Sequence, residues 1–209
     1  MPSLAELRER QAPLLLLDAA SAHIQVGWLG ATAAADRWAA SEAEAGTGLF
    51  AALATLGIDP GAAGAFVFCD GPGSILGIRT AAMALRTWHV LSPRPMYGYC
   101  SLALVAHARG DAEASIIADA RRETWHRYRL GGRLERVPTA ELTGRLVTPD
   151  AFRHWSQPPA GVATTPYRLP ELLAAAATAD LFLPTDSPDA FLHEEPGYKT
   201  WTPQIHRAP

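Results

Sequence analysis

Cysteine is scarce in this 209-residue chain. Cys69 and Cys100 stand in neither a metal-ligand nor a redox spacing, and two cysteines make no disulfide framework. Such usage points to a reducing cytoplasm as the setting. Positive charge is also in deficit, with 18 Lys and Arg against 21 Asp and Glu and a net charge of −3. A chain without an overall basic field is not expected to hold nucleic acid alone through phosphate contacts. Long hydrophobic runs are missing too. Residues 1–11 are polar and charged, and only four leucines follow before Asp18, too short for a signal-peptide core or a membrane span. No membrane contact is expected. The histidines, at 23, 89, 107, 126, 154, 193 and 206, include no pair four apart, so no metal site is expected, and no His-Glu-x-x-His occurs.

A 48% hydrophobic composition can supply an ordinary core in one compact unit or two small ones. Within it one pattern occurs twice. Leu14-Leu15-Leu16-Leu17-Asp18-Ala19 is matched by Ser115-Ile116-Ile117-Ala118-Asp119-Ala120, and a second strand-like run follows each Asp-Ala. The two aspartates lie 101 positions apart. Taken as a duplication, the pattern puts a carboxylate at the end of the first strand in each half. Two such carboxylates facing across a cleft are the arrangement that actin-like nucleotide-binding proteins use to hold a metal-bound phosphate.

The rest of the chain supports two similar units. A strand at 14–18 precedes residues 22–29, where Ile24, Val26 and Trp28 alternate onto one face. A third strand is expected at 33–38. Leu49, Leu53 and Leu56 recur at helical spacing in a helix over 42–56, with Gly57 at its stop. A strand at 65–69 runs into Asp70-Gly71-Pro72-Gly73-Ser74 and a helix over 75–91. A short strand at 96–99 and a helix at 101–108 lead to Gly110-Asp111, the boundary between a first unit, 1–109, and a smaller second unit, 110–209. The second opens with strands at 114–119 and 123–130 and turns at Gly131-Gly132 into 133–137. A helix near 138–142, a strand near 161–164, a helix at 170–177 and a strand at 181–183 follow. The last twenty residues are expected to form an irregular tail.

Gly71-Pro72-Gly73-Ser74-Ile75-Leu76-Gly77-Ile78-Arg79 is the densest motif. Its glycines permit a sharp turn and the close approach of another group. Ser74 caps the helix that follows, whose free amides and dipole favour an anion, and Arg79 supplies a cation about one turn on. One reading is a phosphate site made by Gly71, Gly73, Ser74, Gly77 and Arg79, with Asp18 and Asp119 on the metal. The other is a tight strand-to-helix turn in which Gly77 lets the helix pack closely. A Walker loop is excluded by the lack of lysine, and a dinucleotide fingerprint by the three residues between Gly73 and Gly77. Ser74 sits in no Gly-x-Ser-x-Gly elbow, which argues against a peptidase.

The loop resembles the Gly-Pro-Gly-Ser-Phe-Thr-Gly-Val/Leu-Arg signature of the TsaB family, bacterial tRNA threonylcarbamoyladenosine biosynthesis proteins long filed with "glycoprotease" peptidases. Leu17-Asp18-Ala19-Ala20-Ser21 is similar to the family's opening Ile-Asp-Thr-Ser/Ala. Ile117-Ala118-Asp119-Ala120-Arg121-Arg122-Glu123-Thr124-Trp125 resembles its Ile-Asp-Ala-Arg-x-x-Glu-Val-Tyr. Glu195-Pro196-Gly197-Tyr198-Lys199 sits where members carry Pro-x-Tyr-Leu-Arg. The matches run in order across nearly the whole chain.

The resemblance implies an α/β fold of two ribonuclease-H-like subdomains, as in the actin-like ATPase superfamily, the second being degenerate. It implies a non-catalytic subunit that pairs with a catalytic paralogue, TsaD, and works with the small ATPase TsaE. Together they transfer threonylcarbamoyl to adenosine in tRNA, and this chain meets tRNA only through the complex. The helices over 42–56 and 75–91 are expected to build the main interface, with Leu49, Leu53, Ala82, Leu85 and Trp88 on it; a homodimer is the other use of that face. ATP or ADP with Mg at the complex is the one cofactor expected. The chain departs from the family at Ser41–Gly48, which replaces a His-Ser-like segment, and at Ile75 and Leu76, which replace Phe-Thr. Two alternatives remain in view. One is an actin-like ATPase or phosphotransferase with Mg-nucleotide in the cleft, for which Gly161–Pro166 is the only candidate adenosine segment. The other is a divergent paralogue with another partner.

Overall fold

The computed structural model describes residues 1–191. Apart from Ala190 and Phe191, the expected tail, including Glu195–Lys199, Trp201, His206 and Arg207, lies outside the described residues. Helix α1 (Leu4–Gln11) opens the chain, closed at its start by a reciprocal cap between Ser3 and Glu6. Strands β1 (Leu14–Asp18), β2 (Ile24–Leu29) and β3 (Arg37–Ser41) form an antiparallel meander. Helix α2 (Ala45–Leu56), β4 (Ala65–Gly71), α3 (Ile75–Leu91), β5 (Met96–Cys100) and α4 (Ser101–Arg109) complete the first half. The second half holds β6 (Ala114–Asp119), β7 (Thr124–Arg129), β8 (Glu135–Pro138), β9 (Arg145–Pro149), β10 (Ala163–Thr165), α5 (Leu169–Ala175) and β11 (Leu183–Pro184).

The duplication is visible in the strand order. The first sheet runs β11-β5-β4-β1-β2-β3 and the second β10-β9-β6-β7-β8. In each half the first strand pairs antiparallel with the second and parallel with the fourth. This is the ribonuclease-H-like order twice over, in the duplicated arrangement of the actin-like fold. Strand β11 crosses back to lie antiparallel on β5 at the edge of the first sheet.

Several elements differ from their sequence reading. Residues 33–35 form a 3₁₀ turn and the third strand begins at Arg37; the alanines there lack the branched side chains that suit a pleated surface. The helix expected near 138–142 is a single 3₁₀ turn, Thr139–Glu141. Neither α1 nor β9 was legible. The first half carries helices α2 and α3 over one sheet face, burying Leu15, Leu17, Ile24 and Val26 against Leu49, Leu53, Ala81 and Leu85. A separate core packs the other face of the first sheet, α4, α5 and one face of the second sheet into one body. On the opposite face of the second sheet Ile117, Trp125 and Leu146 form a small cluster covered by Leu142 and Val162 from loops. No helix of the described residues is long and apolar enough to cross a membrane.

Candidate functional site

Asp18 ends β1 with no exposed surface. Its Oδ1 accepts the Ala20 amide at 2.9 Å, while Oδ2 accepts the Tyr99 hydroxyl at 2.5 Å and the Tyr167 hydroxyl at 2.7 Å. Burial pushes its pKa up, and the bonds from Tyr99, Tyr167 and Ala20 offset only part of that. Both oxygens are therefore engaged inside the chain, and Tyr167 of the second half closes over the carboxylate. The expected open cleft at this aspartate is filled by two phenols.

Asp119 ends β6 and has its own internal partners. Oδ1 accepts the Arg121 amide and Oδ2 the amides of Trp155 and Ser156, at 2.8 Å for Trp155. Burial works to raise its pKa, but the Ser156, Arg121 and Trp155 amides outweigh it, so the group stays ionised below the usual carboxylate range. Each aspartate is thus held by internal partners, Asp18 chiefly by tyrosines and Asp119 by backbone amides.

The glycine loop has the tight-turn geometry. Gly71 and Gly73 adopt φ of 130° and 156°, a region that excludes most side chains. A Cβ at Gly73 would stand 2.4 Å from the Ala20 carbonyl oxygen, and one at Gly77 2.0 Å from that of Ala19. The Ser74 amide donates to the Ala20 carbonyl at 2.7 Å. Backbone that would wrap a phosphate instead clamps the β1–β2 turn, and Ser74 Oγ accepts the Gly77 amide as the cap of α3. Ser101 Oγ fixes the loop from behind by donating to the Pro72 carbonyl at 2.7 Å. Arg79 points elsewhere: it lies half exposed, 3.4 Å from Asp189. A small hollow of about 140 Å³ beside Ser74 and Gly77 is lined also by Ala20, Glu42, Glu44 and Arg153. A larger groove of about 750 Å³ lies away from both aspartates, between α1, the β2–β3 connection and α5.

The expected interface residues also move. Leu49, Leu53, Ala82 and Leu85 are buried in the chain's own core, and Trp88 packs on Phe66 with ring centroids 6.1 Å apart. They face the first sheet because α2 and α3 supply its cover. The outward face of α3 is carried by Leu76, Met83, Val90 and Leu91, exposed by 57–80%, and by the less exposed Ile75; Phe50 of α2 is exposed as well. Thr80 and Thr87 return their hydroxyls to the Leu76 and Met83 carbonyls. Tyr99, Tyr167, Trp155 and Ser156 are further residues of the site that the sequence does not mark. They reach the aspartates from 36 to 149 positions away, and no local pattern marks them.

No family model matches the chain, and no curated protein matches it. Solved structures do. YeaZ from Pseudomonas aeruginosa aligns with a TM-score of 0.58 at 19% identity, covering 78% of this chain and 90% of that one. A structure described as an uncharacterised protein with similarity to peptidase YEAZ from Pseudomonas aeruginosa gives a TM-score of 0.56 at 21% identity, covering 78% and 89%. At these identities the likeness fixes the fold.

Proposed function

We propose that this chain is a TsaB-type scaffold subunit in tRNA threonylcarbamoyladenosine biosynthesis, pairing through the outward face of α3 with a TsaD-like catalytic paralogue. YeaZ, whose fold it shares, is the Pseudomonas TsaB homologue. The observation that carries the proposal is the apolar seam itself. Leu76, Met83 and Val90 recur every seven residues, with Thr80 and Thr87 between them. That is the spacing by which one helix lies along another, and large side chains this exposed and contiguous mark an association surface. The site chemistry agrees with a supporting role. Asp18 and Asp119 are consumed in holding the fold, and the glycine loop in gripping Ala19 and Ala20. A TsaE-like ATPase belongs to the same assembly, and nucleotide with Mg is bound at the complex.

Mixing this protein with the TsaD of its own organism and measuring mass by light scattering tests the reading. A one-to-one complex that Met83→Glu or Val90→Glu abolishes is the expected result. Those positions are exposed, so the fold survives the change. No complex at tens of micromolar, with or without a homodimer persisting, overturns the TsaD pairing.

A further inference from the structure

The β6–β7 turn and the strand after it form a concentrated basic surface on an otherwise acidic chain. Residues 121–136 hold six arginines, at 121, 122, 127, 129, 133 and 136, against Glu123 and Glu135, while the chain has a single lysine. Arg127 is bound to Glu135 at 2.8 Å. Arg121, Arg122, Arg129 and Arg133 are exposed, and none of them makes an ion pair among the described residues.

At the turn, the Arg121 guanidinium lies over the Trp155 ring, 4.4 Å from its centroid, and Trp155 remains 51% exposed. This pairing is built. Asp119 binds the Arg121 amide with one oxygen and the Trp155 and Ser156 amides with the other, which fixes both partners to one point. Arg121, Arg122 and Glu123 hold φ of 65°, 52° and 56° in succession, a left-handed stretch that residues with side chains rarely adopt. Thr124 closes the turn on the Arg121 carbonyl through its amide and its hydroxyl, and Arg136 braces Thr124 and the Ala120 carbonyl.

We infer that this surface binds single-stranded nucleic acid, with phosphates on Arg121, Arg122 and Arg129 and a base stacked on Trp155. Guanidinium forks match phosphate oxygens in pairs, and an exposed indole beside them supplies the stacking platform on which a single strand is held without sequence choice. An acidic peptide would use the charge and leave the indole without a role; a lipid surface is separated by the vesicle arm of the test below. The inference rests on this chain alone and not on pairing through α3.

Fluorescence anisotropy tests it, with fluorescein-labelled oligouridylate and oligothymidylate of about a dozen nucleotides, within the range one binding fold spans. Binding is expected in low salt, with log K falling against log salt at a slope of about −2 for three phosphate contacts. Trp155→Ala and Arg122→Glu should each weaken it about tenfold, while Arg10→Glu, the same charge change on exposed α1, should leave it within about twofold. Circular dichroism checks the fold of each variant. Tighter binding of one probe assigns RNA or DNA. The inference fails if neither probe binds. It fails equally if Arg10→Glu weakens binding as much as Arg122→Glu, or if phosphatidylserine vesicles bind the protein with that sensitivity and the oligonucleotides do not. Met83→Glu leaves the anisotropy unchanged, so this result and the α3 pairing stand or fall separately.

Discussion

Burial holds the Asp70 carboxyl, one residue before the glycine loop, at about 6 instead of 3.8. The folded chain therefore binds that proton more tightly than the unfolded one. Its contribution is fully present below pH 3.8 and is lost as pH rises through about 6. Asp18, also raised, acts in the same direction. Urea unfolding at pH 4 and pH 7 should show stability falling by about 2 kcal/mol over that window on account of Asp70. Asp70→Asn should recover that loss at pH 7 and change little at pH 4. Asp18→Ala is expected to cost about 2–4 kcal/mol at either pH, because it strands the buried hydroxyls of Tyr99 and Tyr167. Thermal melts would detect it without any ligand. The positions of both aspartates were legible in the sequence as strand ends. Their use was not, because a carboxylate's role is set by what the fold brings to it. In each case one partner comes from the loop after β9 or β10, a region with no periodicity, and the second hydroxyl on Asp18 comes from Tyr99 of β5.

At the level of the elements, α3 was readable to the residue, since Ser74 caps it and Pro93 and Pro95 end it. Which of its faces is buried was not readable. Apolar residues surround the helix, and only the sheet beneath decides that Leu85 goes in and Met83 stays out. Leu85→Ala should cost about 3 kcal/mol, and Met83→Ala should fall within about 0.5 kcal/mol, in the same denaturation assay. Gly77→Ala should be severe, because the added methyl meets the Ala19 backbone with no flexible atom to yield. Helix α1 escaped notice because it is short and polar, although Ser3 and Glu6 spell its cap. Strand β9 escaped because Arg145–Pro149 is brief, begins with a charge and ends on proline.

For the whole molecule, the two sheets repeat one order while their covering differs. The first has α2 and α3 over one face, and the second has loops in the corresponding role over Trp125. Arg8 ties α1 to the β2–β3 connection, binding Asp36 through both nitrogens and the Gly30 carbonyl at 2.6 Å. Arg8→Ala leaves Asp36 partly buried without its cation and should lower stability by about 2 kcal/mol, read as a drop in the melting temperature.

Helix α1 and the residue before its cap are laced to the stretch that follows α5. The Ala5 amide donates to the Ala177 carbonyl, the Phe182 amide donates to the Pro2 carbonyl, and β11 supplies the outer strand beside β5. During synthesis α1 therefore leaves the ribosome long before Ala177 and Phe182, which complete its hold, are made. At ordinary elongation rates that delay is roughly ten to forty seconds. For that interval Leu4 and Leu7, buried at completion, lack the part of their cover that α5 supplies, so the opening helix docks fully only late in synthesis.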